Sequence, residues 1–251
     1  MLEIKSDFTI HPLNVLQDNI VWVWVHNSNA VVVDPSISSP VKKWLLDQNL
    51  SLQAILQTHH HDDHIGGTQK LTRRWPDAAV IASEKELTRI PFQTFSVNDN
   101  DVFHLLDSEI KVIEVHGHTK NHLAFYISKV NSKYNILFPG DTIFGAGCGR
   151  LLEGTPSQMF ESLNKLNCLP KDTRVYAAHE YTENNLKWAL SLRLNDTSII
   201  ERLKLVQNKL QKGMSSLPST ISEERKTNLF LRAENVDQFT MLRKHKDSWK
   251  C

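Results

Sequence analysis

Six side chains that can bind a metal ion or a proton stand together in the stretch QTHHHDDHIGG, residues 57–67. The stretch follows the apolar run AILQ and precedes a helical pattern, so we expect a loop between a strand and a helix. In extended backbone, residues two apart point the same way, so His59 and His61 can converge on one ion while His60 faces elsewhere. Asp63 and His64 follow as the chain turns and can address a second ion. One loop therefore predicts two half-sites.

Two other interpretations of this loop are less well supported by the sequence than a metal site. His60 and His64 are spaced i, i+4, as in the HExxH motif of zinc proteases, but position 61 is His rather than the Glu base that the motif needs. A polar surface loop without a function is the other alternative. Ligand-type residues further along the chain favour a metal site over both.

The remaining ligands are expected at three strand ends, in EVHGHTKNH, LFPGDT and VYAAHEY. In the first, His118 is preferred because Gly117 and Thr119 set it in a turn, whereas the neighbouring His116 and His122 are expected to be structural or to support the ligands without binding metal. Asp141 follows an apolar strand and is suited to bridge two cations, which a carboxylate can do when they lie about 3.5–4 Å apart. His179 would complete the second site.

Composition narrows the class of protein and of partner. The 251 residues include 40% apolar side chains, enough for a real core, and 29 basic residues nearly balance 28 acidic ones. The chain lacks the basic excess of a nucleic-acid binder or a polybasic membrane anchor, so a small-molecule partner is expected. Cys148, Cys168 and Cys251 show no paired spacing, and the first residues resemble no secretion signal. With no apolar run of about 18 residues, a cytoplasmic location is expected.

Two successive regions of the chain differ in the secondary structure that their sequence predicts. Up to about residue 175, short β-like runs alternate with helical segments, one at 66–75 and one begun by Pro156 and Ser157, which predicts a layered α/β domain. After His179 the strand signals fade, and apolar residues recur at helical spacing. We therefore predict an α/β domain at 1–175 and a small helical domain at 176–251.

Four motifs resemble the metallo-β-lactamase superfamily: THxHxDHxGG at 58–67, GHT at 117–119, GDT at 140–142 and HEYT at 179–182. Within it, the segments GDTIFGAGCGRLLEGTPSQMFESL, AAHEYTENNLKWAL, NLFLR and RKHKD are similar to the glyoxalase II, or hydroxyacylglutathione hydrolase, family. The resemblance covers essentially the whole chain. It implies a four-layer αββα sandwich with a dinuclear metal centre at one edge, followed by an all-helical domain that helps to bind glutathione.

The resemblance also implies roles for individual residues. The first metal would be held by His59, His61 and His118, the second by Asp63, His64 and His179, with Asp141 between them. The glycine carboxylate of glutathione would be bound by Arg150, Tyr181, Arg243 and Lys246. Without the resemblance, Arg243 and Lys246 would be expected on a solvated helix face. Leu152, Ile20 and His116 depart from the family pattern, but none is an expected ligand, so the departures concern substrate affinity more than chemistry.

The expected reaction is the hydrolysis of S-D-lactoylglutathione to glutathione and D-lactate. Two cations lower the pKa of a bridging water towards 7, which supplies a hydroxide at neutral pH. Imidazole and carboxylate ligands without thiolate suit two divalent ions per chain, zinc first, with iron or manganese also compatible. Asp141 would bridge them and Asp63 would orient the nucleophile. A thiol pKa near 8.5 lets the leaving group depart without a dedicated acid. We expect a monomer.

Alternative functions are separable. A persulfide dioxygenase would use one iron and would not need the helical tail. A β-lactamase would be exported. A broader thioesterase would accept acyl thioesters without the glutathione part. A metal store or sensor would not need the GCGR segment or the Arg243 and Lys246 pair.

Overall fold

The computed structural model describes residues 8–130 and 134–250. Cys251 and the outer ends of both predicted domains lie outside the described residues. The strands are β1 Phe8–Val15, β2 Asn19–His26, β3 Asn29–Val33, β4 Ser51–Leu56, β5 Ala79–Ser83, β6 Phe95–Val97, β7 Val102–Leu105, β8 Ser108–Glu114, β9 Leu123–Val130, β10 Tyr134–Phe138, β11 Ile143–Phe144, β12 Gly147–Cys148, β13 Arg174–Val175 and β14 Ser219–Thr220. The α-helices are α1 Ser38–Asp47, α2 Asp62–Ile65, α3 Thr68–Arg74, α4 Pro156–Asn167, α5 Thr182–Leu192, α6 Thr197–Gln211, α7 Ile221–Thr227 and α8 Val236–Ser248, and Glu84–Glu86 form a 3-10 turn.

In the part of the chain that the structure describes, two six-stranded sheets form the centre of the fold. The first has the order β1-β2-β3-β4-β5-β6, antiparallel from β1 to β3 and parallel from β3 to β6. The second has the order β14-β13-β10-β9-β8-β7, in which β10 and β13 are the parallel pair. Within the described residues, β11 and β12 form a separate two-stranded ribbon.

The sequence of β2 explains why the first sheet is covered on both faces. Trp22 and Trp24 point into the core between the sheets, while Val21 and Val23 point into a second core on the other face. Side chains alternate across a strand, so a run that is apolar at every position buries both faces. This strand therefore belongs to the inside of a layered fold.

Over residues 8–130 and 134–250, three apolar cores separate four layers. The first lies between the two sheets, where Phe125 and Phe138 are fully buried. The second lies under α1 and α3 on the outer face of the first sheet. The third lies on the outer face of the second sheet, against α4 and the C-terminal helices. The predicted αββα sandwich with a helical C-terminal part is confirmed.

The predicted helix after Pro156 is found as α4. Thr155 caps it, accepting from the backbone N–H of Gln158, whose side chain accepts from the Thr155 N–H in return. Pro156 at the first helical position has no N–H to leave unpaired. The helix starts where its sequence signals place it.

Between residues 182 and 250 the chain consists of α5 to α8, the loops between them and the short strand β14, which pairs with β13 at the edge of the second sheet. The chain thus returns to the sandwich between α6 and α7. Within residues 8–130 and 134–250, no helix has both the length and the apolar character needed to cross a membrane.

Candidate metal centre and substrate cleft

The segment Thr58–His64, called the metal loop below, runs from the end of β4 into the short helix α2, which carries Asp63 and His64. His61 precedes the helix in extended conformation, with φ −64° and ψ 145°. His59 and His61 lie on the same side of the backbone, and His59 Nε2 is 2.9 Å from His61 Nδ1. His60 turns away and contacts Arg89 instead. The alternation expected for an extended loop is present.

The first ligand group combines this loop with the turn after β8. The facing ring nitrogens of His59, His61 and His118 all lie within 4.8 Å of one another. His118 Nδ1 donates to the carbonyl oxygen of Arg150 at 2.9 Å, so its Nε2 is the atom that faces the group, 3.1 Å from His61 Nδ1. One ion fits between these three rings.

The second group consists of Asp63, His64 and His179, again with ligand atoms within 4.8 Å of one another. His64 Nδ1 donates to Asp34 at 3.0 Å, and His179 Nδ1 donates to Asp18 at 2.8 Å. Carboxylates on Nδ1 are the common outer partners of metal-binding histidines, because they fix the tautomer that leaves Nε2 available. Both rings present Nε2 to the group.

Asp141 lies between the two groups. Its Oδ2 is 3.4 Å from His118 Nε2, and its Oδ1 is 3.4 Å from Nε2 of both His64 and His179. Oδ1 is buried and has no hydrogen-bond partner. A buried carboxylate oxygen without a partner, facing imidazole nitrogens, fits a cation at that position. The donor set of nitrogen and oxygen atoms, without thiolate, suits a divalent ion.

Asp34, His59 and His64 form a third group of possible ligands. However, Asp34 already accepts from the backbone N–H of Thr58 at 2.8 Å and from its hydroxyl at 2.6 Å. Asp34 therefore orients His64 and the start of the metal loop. Sequence reasoning missed Asp34 and Asp18, and the only signal for Asp34 was its place at the end of the run AVVVD.

The electrostatics of the two groups differ. Burial and the neighbouring His118 lower the pKa of His61 to about 4, and burial lowers the pKa of His59 well below its usual range. Burial also lowers the pKa of His64, but Asp141 and Asp34 outweigh it and raise the value to about 9. His59 and His61 are therefore neutral at pH 7, the form that binds metal, whereas His64 would release a proton on binding.

A cleft of about 500 Å³ joins the metal side to the C-terminal helices. Its walls include His118 and Asp141 together with the four residues predicted for substrate binding, Arg150, Tyr181, Arg243 and Lys246. Tyr181 stacks on His179 with ring centroids 4.9 Å apart. Trp249, which sequence reasoning did not select, also lines the cleft and lies 4.7 Å from the Lys246 ammonium.

The cationic residues of the cleft have different surroundings. Arg150 is exposed. Arg243 is 6% exposed, donates to the carbonyl oxygen of Cys148 at 2.9 Å, and gives Nε and Nη2 to Asp247 at 3.1 and 2.8 Å. The Arg243 guanidinium is thus tied both to the strand that leads to Arg150 and to a carboxylate of its own helix.

Family models and relatives of known name match this chain over nearly its whole length. A family model described as the metallo-beta-lactamase superfamily matches residues 13–179, and one described as the hydroxyacylglutathione hydrolase C-terminus matches residues 180–249. A Prochlorococcus marinus strain NATL1A protein named hydroxyacylglutathione hydrolase is 79% identical over 251 residues, which cover 100% of both chains. Its namesake from strain MIT 9211 is 55% identical, with 99% of each chain covered.

Solved structures share the architecture. ETHE1 from Myxococcus xanthus superposes with a TM-score of 0.70 at 21% identity, covering 94% of this chain and 90% of its own. A metallo-beta-lactamase from Staphylococcus aureus gives a TM-score of 0.72 at 18% identity, with 98% of this chain and 68% of its own covered. At such identities the likeness concerns the fold alone.

Proposed function

The chain belongs to the metallo-beta-lactamase superfamily and, within it, to the hydroxyacylglutathione hydrolases, and from this premise we propose that it hydrolyses S-D-lactoylglutathione to glutathione and D-lactate. The observation that carries the proposal is the single cleft in which Asp141 and His118 share walls with Arg150 and Lys246. A thioester carbonyl and a distant carboxylate of one substrate can be bound there together.

We assign two divalent ions to the centre, zinc first, with iron and manganese compatible. The first would be held by His59, His61 and His118, the second by Asp63, His64 and His179, and Asp141 would contact both. Bound there, the ions would supply a nucleophilic water at neutral pH and would polarise the thioester carbonyl. All these residues belong to one chain, which supports a monomer as the acting unit.

Asp63 is suited to orient the attacking water. Burial raises its pKa, but His64 and the amide of Asn19 outweigh this and lower it, so the carboxylate is ionised at pH 7. Asn19 Nδ2 donates both to Asp63 Oδ2 and to its backbone carbonyl, each at 3.1 Å. The side chain is nevertheless 43% exposed, so water can reach it. Asp63 can therefore accept a hydrogen bond from water at a fixed position.

The cationic end of the cleft is suited to hold the glycine carboxylate of glutathione. Arg150, Arg243 and Lys246 bring positive charge to one wall, offset in part by Asp247, which also lines the cleft and pairs with Arg243. Charge-assisted hydrogen bonds are stronger than neutral ones. Tyr181, stacked on His179, lies between this wall and the metal side. The substrate is thereby oriented with its thioester towards Asp141.

In the reaction, a C–O bond forms at the carbonyl carbon, the C–S bond breaks, and the electron pair leaves on sulfur. The ordinary thiol pKa is about 8.5, so the thiolate departs readily and takes up its proton from solvent. No side chain needs to act as a general acid. A cytoplasmic location stays a prediction, which the unpaired Cys148 and Cys168 support.

The test is the release of thiol from two substrates by the zinc-loaded chain. We expect rapid hydrolysis of S-D-lactoylglutathione and a kcat/KM lower by at least about tenfold for S-D-lactoyl-N-acetylcysteamine, which lacks the carboxylates of glutathione. Equal rates on both would indicate a broader thioesterase. An inert, fully loaded preparation would contradict the proposal.

A further inference from the structure

His60 is the histidine of the HHHDDH array that belongs to neither ligand group. Its Nε2 accepts from Arg89 Nη1 at 3.1 Å, which places the ring proton on Nδ1, 3.6 Å from a carboxylate oxygen of Glu86. The side chain is 15% exposed. His60 therefore joins the metal loop to the segment that follows β5.

Arg89 is the centre of this arrangement. Nε and Nη2 donate to the two carboxylate oxygens of Glu86, at 2.6 and 2.5 Å, and Glu86 is fully buried. Nη1 donates to Glu153 Oε1 at 2.5 Å as well as to His60. A bidentate pair with a buried carboxylate fixes the guanidinium plane, so Nη1 points in one direction.

The opposite end of the network lies on the loop that carries His118. Glu153 Oε2 accepts from the backbone N–H of Lys120 at 2.7 Å, two residues after His118. The backbone N–H groups of Leu152 and Glu153 donate to the His118 carbonyl oxygen at 3.3 and 3.2 Å. Glu153 thus binds the His118 turn with both its backbone and its side chain.

The first ligand group needs this connection because its members come from different sheets. His59 and His61 follow β4 of the first sheet, and His118 follows β8 of the second. The backbone N–H of Leu123, the first residue of β9, donates to the Thr58 carbonyl oxygen at 2.8 Å, where the two loops meet. The path from His60 through Arg89 and Glu153 to Lys120 is a second connection between the metal loop and the loop that carries His118.

We propose that Arg89 and Glu153 are positioning residues that hold the metal loop and the His118 turn at the separation one ion requires. This inference rests on the proposed function only for the assignment of the first metal. Neither residue belongs to a ligand group or is among the residues that line the cleft. Losing either side chain should lower the affinity for the first ion by about tenfold. That is the lower end of what outer-sphere partners of metal ligands contribute.

The test measures zinc affinity by chelator competition, together with zinc per chain. We expect the affinity for one of the two zinc ions to fall about tenfold in Arg89→Met and in Glu153→Ala. Arg232→Met is the matched control, because Arg232 is also 35% exposed and pairs with a carboxylate, Asp196, at 2.6 Å, far along the chain in the helical part. That control should bind zinc as the wild type does.

A double variant assigns the effect to one site. His118→Ala removes a ligand of the first ion, so adding Glu153→Ala should weaken zinc binding no further. An undiminished additional loss would contradict the proposal, and so would wild-type zinc affinity in Arg89→Met and Glu153→Ala. Arg89→Met can fail to fold because it leaves Glu86 buried and unpaired. In that case the Glu153→Ala variant tests the proposal, because the Glu153 side chain is 28% exposed and its removal is tolerated more easily.

The zinc-affinity comparison and the proposed activity can fail independently of each other. A chain that binds two zinc ions but leaves S-D-lactoylglutathione intact would defeat the proposed function, while the comparison of zinc affinities would still test the positioning role.

Discussion

At the scale of single residues, the histidines of the metal-free centre should make folding sensitive to acid. Burial and His118 lower the pKa of His61 to about 4, whereas an unfolded histidine titrates near 6.5. Burial also lowers the pKa of His59 and His122. As the pH falls from 6.5 to about 4, the unfolded chain binds protons that the folded chain does not, so stability is lost.

His64 should act in the opposite range. Its pKa of about 9 results from Asp141 and Asp34 overcoming burial, so its stabilising contribution is complete below pH 6.5 and is lost as the pH rises through 9. Thermal unfolding of metal-free protein between pH 4 and 10 should therefore show a maximum near neutrality. The decrease in Tm below neutral pH should be smaller in His61→Asn than in the wild type. It should be unchanged in His104→Asn, because the imidazole of His104 is exposed. A Tm independent of pH would contradict this account.

Lys246 should govern substrate affinity. Replacing it by Met removes a cation from the cleft wall, so KM for S-D-lactoylglutathione should rise about tenfold, while kcat and metal content stay near the wild-type values. Lys244→Met is the control, because Lys244 is exposed two positions away and does not line the cleft. A fall in kcat with KM unchanged would remove Lys246 from substrate binding.

The positions of the ligand-type residues could be predicted because four of them share the spacing HxHxDH in one loop. The other three, His118, Asp141 and His179, each follow an apolar run of strand type. The structure brings all seven of them together. Asp18 and Asp34 could not be selected in the same way, because a single acidic residue after a strand is common in turns. Which histidine they orient depends on how the strand ends meet in space.

At the scale of elements, the ribbon of β11 and β12 connects the metal side to the substrate side. Its turn, Gly145 and Ala146, and the first residue of β12, Gly147, are held by buried side chains of α5, of α7 and of the residue that follows α7. Asn185 donates to the Gly145 carbonyl at 3.0 Å, Glu224 accepts from the Ala146 N–H at 2.7 Å, and Asn228 donates to the Gly147 carbonyl at 2.9 Å. The helical part thus positions the chain between Asp141 and Arg150.

Gly147→Ala should disturb this turn. A Cβ at Gly147 would lie 2.3 Å from Asn185 Nδ2, so the amide must leave its place, at a cost of about 1–3 kcal/mol. We expect a lower Tm and a raised KM. Ala146→Gly is the control, because it relieves the positive φ of 54° at Ala146 and should keep Tm within about 2 °C. Equal behaviour of the two variants would contradict the packing argument.

Long periodic elements were predictable, and short ones were not. The apolar run of β2 and the capping signals of α4 predicted a strand and a helix at those places. β11, β12 and β14 have two residues each, too few for any periodic pattern, and they exist because of pairing between distant segments. The return of the chain to the second sheet at β14 therefore had no signal in the sequence.

At the scale of the whole molecule, the sandwich and the helical part share one core. Trp188 of α5 stacks on Phe230, and both belong to the cluster that includes Leu137 of β10 and Met159 of α4. The predicted division after residue 175 stays a prediction. The shared core means that the two parts are not independently covered units.

We therefore expect one cooperative unfolding transition in denaturant. Far-UV circular dichroism, which reports on all helices and strands, and thiol labelling of Cys148, which is buried where the two parts meet, should give the same midpoint. Labelling at exposed Cys168 should proceed without unfolding and serves as the control. Two separated midpoints would contradict a shared core.

The central claim is that seven side chains from one chain hold two ions that enable the hydrolysis of a glutathione thioester. The most direct measurement titrates the metal-free chain with zinc and records the hydrolysis of S-D-lactoylglutathione at each addition. The account predicts no activity without metal and a plateau at two zinc ions per chain. Activity without metal, or none at saturation with two ions bound, would contradict it.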